Sequence, residues 1–446
     1  MPTRFLHLLI LLLLLAAFAL RLGHLLGGIF HIDEYISMLA AQMTAQKGAP
    51  ILPSGLLYHQ GLLLSYLAAP FIALLGFREE IARWPSLLAG MLAVAAFYRV
   101  ARQIFQSPLA GLLALTLATL DVSMILWSAR MRMYALAGLF MLLALYFLLQ
   151  GTLLQPSRRA RLAAIICLVG AMLTHSVAVV ALPVWALALG ICLAVGQRKF
   201  NLAWYRQKSF VPELALTLLL IMIGVAFSVG GQIPFLSPGV AEASDGGADG
   251  GGGLWGVFNK FLEPGVSWER VDDFIYTYTS AEYGPLLLLA GVSFGLALLA
   301  ALRGRLTRRD MAVLLLGLIF LLTIAELGLA LSSTWRKTRY LFILCHAPFL
   351  LLAADGLARI FEALARFLPS RPPTATQRPA TTNHLLSTIH HPLSTSFPLL
   401  PTTYYPSSPS SFSGPAPRLT WRQGKVRAAM IPPSNGSKCS GRRGIG

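Results

Sequence analysis

The sequence predicts an all-α polytopic membrane protein built from about ten transmembrane helices. Hydrophobic residues make up 56% of its 446 residues and charged residues only 12%, and long apolar runs recur until the last quarter of the chain. A soluble domain does not bury so many full-length apolar runs. The basic residues stand in short clusters between these runs, which is typical of topology signals. We therefore expect membrane lipids as partners and no nucleic acid.

The first predicted span ends at a pair of acids. No polar residue occurs from Leu8 to Leu20, and Arg4 precedes this run. The positive-inside rule keeps Arg4 in the cytoplasm, so the span delivers Asp33 and Glu34 to the outer surface. Two carboxylates at a membrane exit suit a general base that acts at the bilayer boundary. Acids also commonly mark the point where a helix leaves lipid, so position alone leaves both interpretations open.

Length and apolar pattern predict the remaining spans and their orientation. Segment 61–76 is short for a span and contains Pro70, and we expect it to lie in the interface. If it does not cross, the basic clusters between later spans fall in the cytoplasm, as the positive-inside rule requires. Arg21, two residues after Ala17-Phe18-Ala19, favours an uncleaved first helix over a signal peptide. The predicted spans are 6–30, 82–98, 108–126, 133–150, 162–174, 176–196, 211–229, 285–302, 312–331 and 340–357.

Two outer loops are long enough to carry a site. The first, 31–81, holds two segments that resemble interfacial helices. The second, 230–284, begins with a glycine run that lacks the Lys-Ser/Thr of a phosphate-binding loop and is interpreted as a linker. Its end contains Tyr276, Tyr278 and Tyr283, which either belong to an interfacial aromatic belt or line a sugar site.

The composition changes after Leu368. Residues 369–446 contain no Asp or Glu and are rich in Pro, Ser and Thr, which predicts a disordered basic cytoplasmic tail. The domain prediction is therefore a transmembrane domain over 1–368 and a tail over 369–446. No Cys-X-X-Cys pair occurs, so neither a disulfide framework nor a zinc site is indicated.

Cations and a histidine are predicted near the outer acids. Arg130 and Arg132 sit at the outer mouth of two spans, against the positive-inside trend, and a guanidinium suits a phosphate. Snorkelling at a helix end is the alternative. Arg339 belongs to a second outer basic group, and His175 falls at an outer turn where a hydrogen-bonded core histidine is also common. Together, outer carboxylates and cations describe a site for an anionic lipid headgroup beside a proton acceptor.

Five fragments in order resemble the GT-C membrane glycosyltransferases, in the branch of protein O-mannosyltransferases and aminoarabinose transferases (glycosyltransferase family 39-like). The resemblance covers roughly residues 5–360. His59-Gln60 departs from the proline pair that many relatives have before the interfacial helix. The fragments are HIDEYIS with Asp33-Glu34, REEIARWPSLLAGMLAVAAFYRVARQIF, Ser128 with Arg132-Met133-Tyr134-Ala135, Thr174-His175, and Arg339-Tyr340-Leu341.

The resemblance implies a GT-C-like bundle with interfacial helices in the first outer loop. It also implies a polyprenyl-phosphate-linked sugar as donor and a multi-pass enzyme of the cell membrane, a hexosyl- or pentosyltransferase working on the extracytoplasmic face. Asp33, with Glu34, would supply the base for an acceptor hydroxyl of a protein, lipid or glycan. No cofactor is required for certain, and a divalent metal is left open. The implied donor phosphate-binding residues are Arg130, Arg132 and Arg339, and the implied substrate-binding residues are Tyr134, His175 and His59.

Two other function classes remain as alternatives. A membrane transporter or lipid flippase would use Glu326, the one acid predicted deep in a span, as a pathway residue. The sequence shows no internal repeat, and it gives no sign of paired broken helices of the kind that transporters have. A structural membrane partner without activity would leave the outer arginines unexplained.

Overall fold

The computed structural model describes residues 3–200, 204, 207, 210–229, 268–329 and 337–367. Within these residues the chain is helical, and an isolated bridge between Ile51 and Leu57 is its one β feature. The prediction of an all-α polytopic membrane protein is confirmed. The predicted tail 369–446 and most of the predicted outer loop 230–284 lie outside the described residues.

The helices are numbered here in chain order. Short 3₁₀ segments precede α9 and α14, at Ser176–Val180 and Thr338–Tyr340, and a π-helical turn, Gln150–Leu154, extends α7. The α-helices are α1 (Thr3–Gly27), α2 (Ile32–Lys47), α3 (Leu62–Leu75), α4 (Glu79–Phe105), α5 (Pro108–Leu120), α6 (Val122–Ser128), α7 (Tyr134–Leu149), α8 (Arg158–Thr174), α9 (Ala181–Phe200), α10 (Phe210–Val229), α11 (Trp268–Thr279), α12 (Gly284–Leu302), α13 (Arg308–Leu329), α14 (Leu341–Leu344) and α15 (His346–Phe367).

All ten predicted spans coincide with helices. Among the described residues, six helices are long and apolar enough to cross a membrane, and eight spans result if two bent helix pairs count as one each. The predicted spans 162–174 and 211–229 correspond to α8 and α10. The helices α4, α7 and α13 are 61% buried over their apolar windows, whereas α1 is only 11% buried, so α1 presents most of its surface outward.

Two predicted spans are broken rather than continuous. The segment predicted as one span over 108–126 bends by 60° between α5 and α6, at Asp121. The segment predicted over 340–357 bends by 65° between α14 and α15, at Cys345. Apolar length alone does not reveal such bends, because the hydropathy of both runs continues through the break.

The segment predicted as the first outer loop folds into the two helices expected there. His31 caps α2: its ring accepts a hydrogen bond from the Asp33 amide, while the Glu34 side chain accepts one from the His31 amide. The C-terminal cap of α2 is Gly48, at a φ of 78° that favours glycine. Helix α3 has 14 residues, or about 21 Å of rise, too short for a hydrocarbon core of about 30 Å. The expectation that 61–76 does not cross is in line with this length.

A charged network fastens α12, α13 and α15 to one another. The fully buried Asp355 accepts hydrogen bonds from Ser293 of α12 (2.6 Å), Arg309 of α13 (2.6 Å) and Arg359 (2.7 Å). Arg359 also donates to Asp310 at 2.8 Å. The charges of α13 and α15 and the Ser293 hydroxyl of α12 thus meet without leaving Asp355 unsatisfied, which is the condition for burying an ion.

Close packing between α12 and α15 yields a first prediction. A Cβ atom added at Gly356 would lie 2.0 Å from the carbonyl oxygen of Leu289, whereas one added at Gly291 would meet nothing within 4 Å. Gly356→Ala should therefore lower the free energy of unfolding by about 1–3 kcal/mol. Gly291→Ala, the matched control, should leave it unchanged or raise it by up to about 1 kcal/mol. Thermal unfolding in detergent checks this, and equal melting temperatures for the two variants would contradict the packing.

Candidate active site

One polar cavity, of about 120 Å³, collects most of the predicted site residues. Its walls come from the N-terminus of α2, the end of α6, the loop into α7 and the 3₁₀ segment before α14. Two further residues, not predicted as site residues, complete the wall. The lining residues are His31, Asp33, Glu34, Trp127, Arg130, Arg132, Tyr134 and Arg339.

The two neighbouring acids have very different surroundings. Glu34 is fully buried, and each of its carboxylate oxygens accepts two hydrogen bonds. Arg83 donates to both oxygens, at 2.9 and 3.2 Å, and the backbone amides of Met131 and His31 donate the other two, at 2.8 and 3.2 Å. A carboxylate with four donors has no free lone pair for a substrate proton. The structure therefore separates Glu34 from Asp33, although the sequence groups them as catalytic acids.

Arg83 is the residue that fixes the entrance to α2. Its guanidinium is only 3% exposed and, besides Glu34, it donates to the carbonyls of Leu25 (2.8 Å) and Gly28 (3.1 Å) at the end of α1. These carbonyls have no partner within the helix, so a buried cation from α4 satisfies them. The guanidinium thus joins α1, α2 and α4 at one point directly behind the cavity.

The carboxylate of Asp33 faces the cavity and is 38% exposed. Its Oδ2 lies 3.4 Å from Arg132 Nη2 and 3.9 Å from His31 Nδ1. The Asp33 carbonyl accepts hydrogen bonds from Arg132 Nη1 at 3.0 Å and from the Ser37 hydroxyl at 3.1 Å. Backbone and neighbours therefore hold Asp33 in place, while its carboxylate stays open to a ligand.

The arginines of the cavity have few partners. Arg132 lies over the ring of Tyr134 at 5.7 Å, and Arg130 lies over Trp127 at 5.8 Å. Arg339 lies over the ring of Tyr340 at 5.6 Å, and its buried Nε has no hydrogen-bond partner among the residues that the structure describes. A buried donor without a partner is costly. This position is therefore suited to an anionic ligand that would accept the bond.

Tyr134 and His175 form a layer behind the arginines. Their ring centroids are 5.5 Å apart, and His175 contacts Tyr340 on its other side at 5.2 Å. His175 is 3% exposed and does not line the cavity, unlike Tyr134. Burial lowers the pKa of His175 to about 3, and Arg132 and Arg339 add to the shift. In this geometry His175 is a neutral ring that packs against Tyr134 and Tyr340.

His59 is the other predicted residue that lies away from the cavity wall. Burial lowers its pKa, and its Nε2 has no partner in the described part of the chain. Its neighbour Tyr58 makes the contact with α2 instead, through a 2.9 Å hydrogen bond between its hydroxyl and that of Ser37. Burial also raises the pKa of the Tyr58 hydroxyl.

The sequence contains weak signals for the site residues that it does not predict. Arg83 follows two acids at the start of a predicted span, where an unpaired arginine would be costly, and this anticipates a buried partner. His31 directly precedes Asp33 at a helix start, which is a capping position. For a metal, no three His, Cys, Asp or Glu side chains converge within the described ranges.

Comparisons with known proteins agree with this architecture. The model of a family described as dolichyl-phosphate-mannose-protein mannosyltransferase matches residues 59–228, less than half of the chain. This match includes Arg132, Tyr134 and His175 but ends before Arg339 and begins after Asp33. No curated protein matches the sequence.

Solved structures match a larger part of the chain. The Archaeoglobus fulgidus oligosaccharyltransferase in the apo form is 14% identical, with a TM-score of 0.53 over 82% of this chain and 52% of its own. In complex with Zn and sulfate it gives a TM-score of 0.52 at 15% identity, over 80% of this chain and 50% of its own. ArnT from Cupriavidus metallidurans bound to undecaprenyl phosphate is 18% identical, with a TM-score of 0.54 over 80% of this chain and 61% of its own.

The chain has the GT-C membrane glycosyltransferase fold. The resemblance that the sequence fragments indicate is thereby confirmed at the level of the fold. This GT-C chain spans less than two thirds of the length of any of these solved structures.

The buried pair behind the cavity yields a second prediction. Arg83→Met leaves the Glu34 carboxylate buried without its partner. Glu34→Gln likewise leaves the Arg83 guanidinium buried without a carboxylate. Each should lower the free energy of unfolding by about 3–5 kcal/mol, and the double variant should lose less than the sum. Arg78→Met, at an exposed arginine one turn earlier, is the control and should unfold like the wild type. Thermal unfolding of the purified protein measures all four, and additive losses would contradict the pairing.

Proposed function

We propose that this protein transfers a sugar from a polyprenyl-phosphate-linked donor to an acceptor hydroxyl at the extracytoplasmic membrane face. One observation carries the proposal: the open carboxylate of Asp33 and three arginines, Arg130, Arg132 and Arg339, line the same cavity. Sugar transfer from a lipid phosphate needs this combination, because a proton must be removed on one side of the anomeric carbon while negative charge develops on the other.

Asp33 is the base of the proposed reaction. The acceptor oxygen attacks the anomeric carbon while its proton passes to the Asp33 carboxylate. The bond between the anomeric carbon and the phosphate oxygen breaks, and its electron pair leaves with the polyprenyl phosphate, so the configuration inverts. In this scheme Glu34, whose oxygens are occupied, is a positioning residue: its bond to the Met131 amide holds the loop that carries Arg130 and Arg132 against α2.

The cavity arginines receive the leaving phosphate. Their donors are not used up by carboxylates, except that Arg132 also contacts Asp33. In a site from which water is excluded, such preorganised charges stabilise a developing anion far more than they would in bulk water. Tyr134 lines the same wall, and His175 supports it from behind. Trp127 places an aromatic face beside the cations, a surface on which a sugar ring can pack.

Both kinds of relative are consistent with this substrate class. The ArnT structure contains undecaprenyl phosphate, and the matching family is described by a dolichyl-phosphate-mannose donor. We therefore propose a polyprenyl-phosphate sugar as the donor, with a protein, lipid or glycan hydroxyl as the acceptor. Dependence on a divalent metal stays open: the oligosaccharyltransferase was solved with Zn and sulfate. A chelator titration of the purified protein decides it.

Transport without transfer is the competing function. Its candidate residue, Glu326 of α13, has a buried Oε2 without a hydrogen-bond partner among described residues, and it does not line the cavity of Asp33. Movement of a labelled lipid-linked sugar across proteoliposomes, unaffected by loss of Asp33, would favour this alternative.

Replacement of the base is the main test. Asp33→Asn keeps the size and backbone contacts of the residue but cannot take up the proton, so kcat should fall by about 10²–10⁴-fold. The measurement is transfer of radiolabelled sugar from undecaprenyl phosphate in membranes that express equal amounts of protein. Glu79→Gln changes an exposed acid at the start of α4 and should leave the rate unchanged. Full activity of the Asp33 variant would rule out the proposed mechanism.

Loss of a phosphate-binding arginine should act differently. Replacing Arg132 or Arg339 by Ala should lower kcat/KM for the donor by about 10²–10³-fold, because the leaving phosphate loses a charge partner. Arg78→Ala, at an exposed arginine just before α4, should lower it little. Donor titrations at saturating acceptor separate the effects on KM and kcat. Unaltered kinetics in both cavity variants would remove the arginines from the site.

A further inference from the structure

The two broken spans meet at their breaks. Asp121 occupies the break between α5 and α6, and His346 is the first residue of α15, directly after the second break. Their side chains are in contact, with His346 Nε2 3.0 Å from Asp121 Oδ2, although 225 positions separate them in the sequence. Both side chains are almost fully buried, at 2% and 6% exposure.

Asp121 is the centre of this contact. Its Oδ1 accepts the Met124 amide at 2.6 Å and so caps α6, and its Oδ2 accepts the hydroxyl of Tyr283 at 3.1 Å. The Ser123 hydroxyl lies 3.0 Å from that of Tyr283. One carboxylate therefore connects the start of α6, the start of α12 and the start of α15.

A cation and two aromatic side chains also lie at the breaks. Arg21 of α1 donates to the carbonyls of Ala118 and Thr119 at the end of α5, at 2.8 and 3.3 Å. Tyr278 and Tyr283, for which the sequence suggests a belt or a sugar site, are buried instead and pack around His346 with ring distances of 6.3 and 5.6 Å. Side chains from other helices therefore pair with the backbone at the first bend, whereas Pro348, four residues after Leu344, favours the second bend because it cannot donate to the Leu344 carbonyl.

Each broken span leads from its break to the cavity. On one side α6 runs from Asp121 to Trp127 and continues into the loop with Arg130 and Arg132. On the other, the short segment 338–344 runs from Arg339 to the second break. Trp127 and Phe342 provide a second contact between the two segments, with ring centroids 6.5 Å apart.

Arg339 depends on this arrangement for its position. It makes no ion pair with a carboxylate in the part of the chain that the structure describes, its buried Nε has no hydrogen-bond partner there, and its guanidinium lies over the adjacent ring of Tyr340. Its guanidinium is therefore placed by the backbone of its own segment. That segment is anchored at the second break, where His346 contacts Asp121.

We propose that Asp121 and His346 are positioning residues for the donor phosphate: their contact sets the placement of Arg339 relative to Arg130 and Arg132. The inference rests on the proposed function, because it concerns the phosphate site of the same cavity. Neither residue lines that cavity, so neither contacts the phosphate. Their effect reaches the ligand through the two helical segments.

The test is binding of undecaprenyl phosphate to the purified full-length protein in nanodiscs. Asp121→Asn weakens the contact at constant size, and His346→Phe removes it while keeping a ring among Tyr278, Tyr283 and Phe349. Each should raise the Kd by roughly tenfold, within the range that neighbours in one network show. Tyr283→Phe removes one of the hydrogen bonds to Asp121 and should give a smaller change in the same direction.

A double-variant cycle separates positioning from a loss of stability. If the contact acts by placing Arg339, adding His346→Phe to Arg339→Ala should cost no further affinity, because the group that it positions is already gone. Glu213→Gln breaks a buried ion pair with Arg161 outside the broken spans, and it should lower the melting temperature without changing the Kd. Additive losses in the cycle, or an unchanged Kd in the Asp121, His346 and Tyr283 variants, would overturn the inference.

The same data distinguish the two proposals. If the wild type does not bind undecaprenyl phosphate, the proposed donor is wrong and the positioning role falls with it. If the wild type binds and Arg339→Ala weakens binding, but the variants at the breaks bind normally, only the positioning role is wrong.

Discussion

The buried ion pair between Arg83 and Glu34 is the constraint on which the arrangement of the cavity depends. Ions at 3% and 0% exposure are tolerated only if their hydrogen bonds are satisfied, and this pair satisfies them with groups from several elements. Arg83 donates to carbonyls at the end of α1. Glu34 accepts from the Met131 amide before α7 and from the His31 amide that precedes α2. Four chain segments therefore have one relative arrangement, and the cavity forms beside it.

The same pair explains why adjacent acids differ in role. In the first turn of a helix, consecutive side chains point in different directions. With Glu34 turned inward to Arg83, Asp33 faces the cavity and Arg132. The arginines also fall into two groups, according to what their guanidinium groups contact. Arg21 and Arg83 bind backbone carbonyls or a carboxylate and serve the fold, whereas Arg130 and Arg339 have ring contacts and retain donors for a ligand.

The bend at Asp121 shows that buried polar groups need partners in the apolar interior as well. Backbone that leaves a helix at membrane depth must find partners in the protein. Here Arg21 supplies donors to the carbonyls of α5, and Asp121 supplies an acceptor to the amide of α6. His346 contacts the same Asp121 carboxylate that caps α6. This carboxylate therefore also couples α6 to the segment 338–344, and both lead to the proposed phosphate site.

Local patterns in the sequence are sufficient for much of the fold. Apolar run length locates the helices of all ten predicted spans, and the short run with Pro70 forms the 14-residue helix α3. Residue chemistry and topology predict Asp33, Arg132 and Arg339 on one side of the membrane, and the structure places them around one cavity.

Local sequence patterns cannot predict which side chains will pair when they are far apart in the chain. Arg83 and Glu34 are 49 positions apart, and Asp121 and His346 are 225 apart, so no periodic pattern connects them. The bend at Asp121 escapes prediction for a related reason, since Arg21, which binds the freed carbonyls of α5, lies on another helix. His175 and His59 have the chemistry of site residues, but packing places both behind the wall.

A structure of the protein with an unreactive polyprenyl-phosphate sugar bound tests the central claim most directly. The account predicts phosphate density in the cavity, within hydrogen-bonding distance of Arg132 and Arg339, with the anomeric carbon of the sugar facing the Asp33 carboxylate. Phosphate density at a different site, with this cavity closed to the lipid, would contradict it.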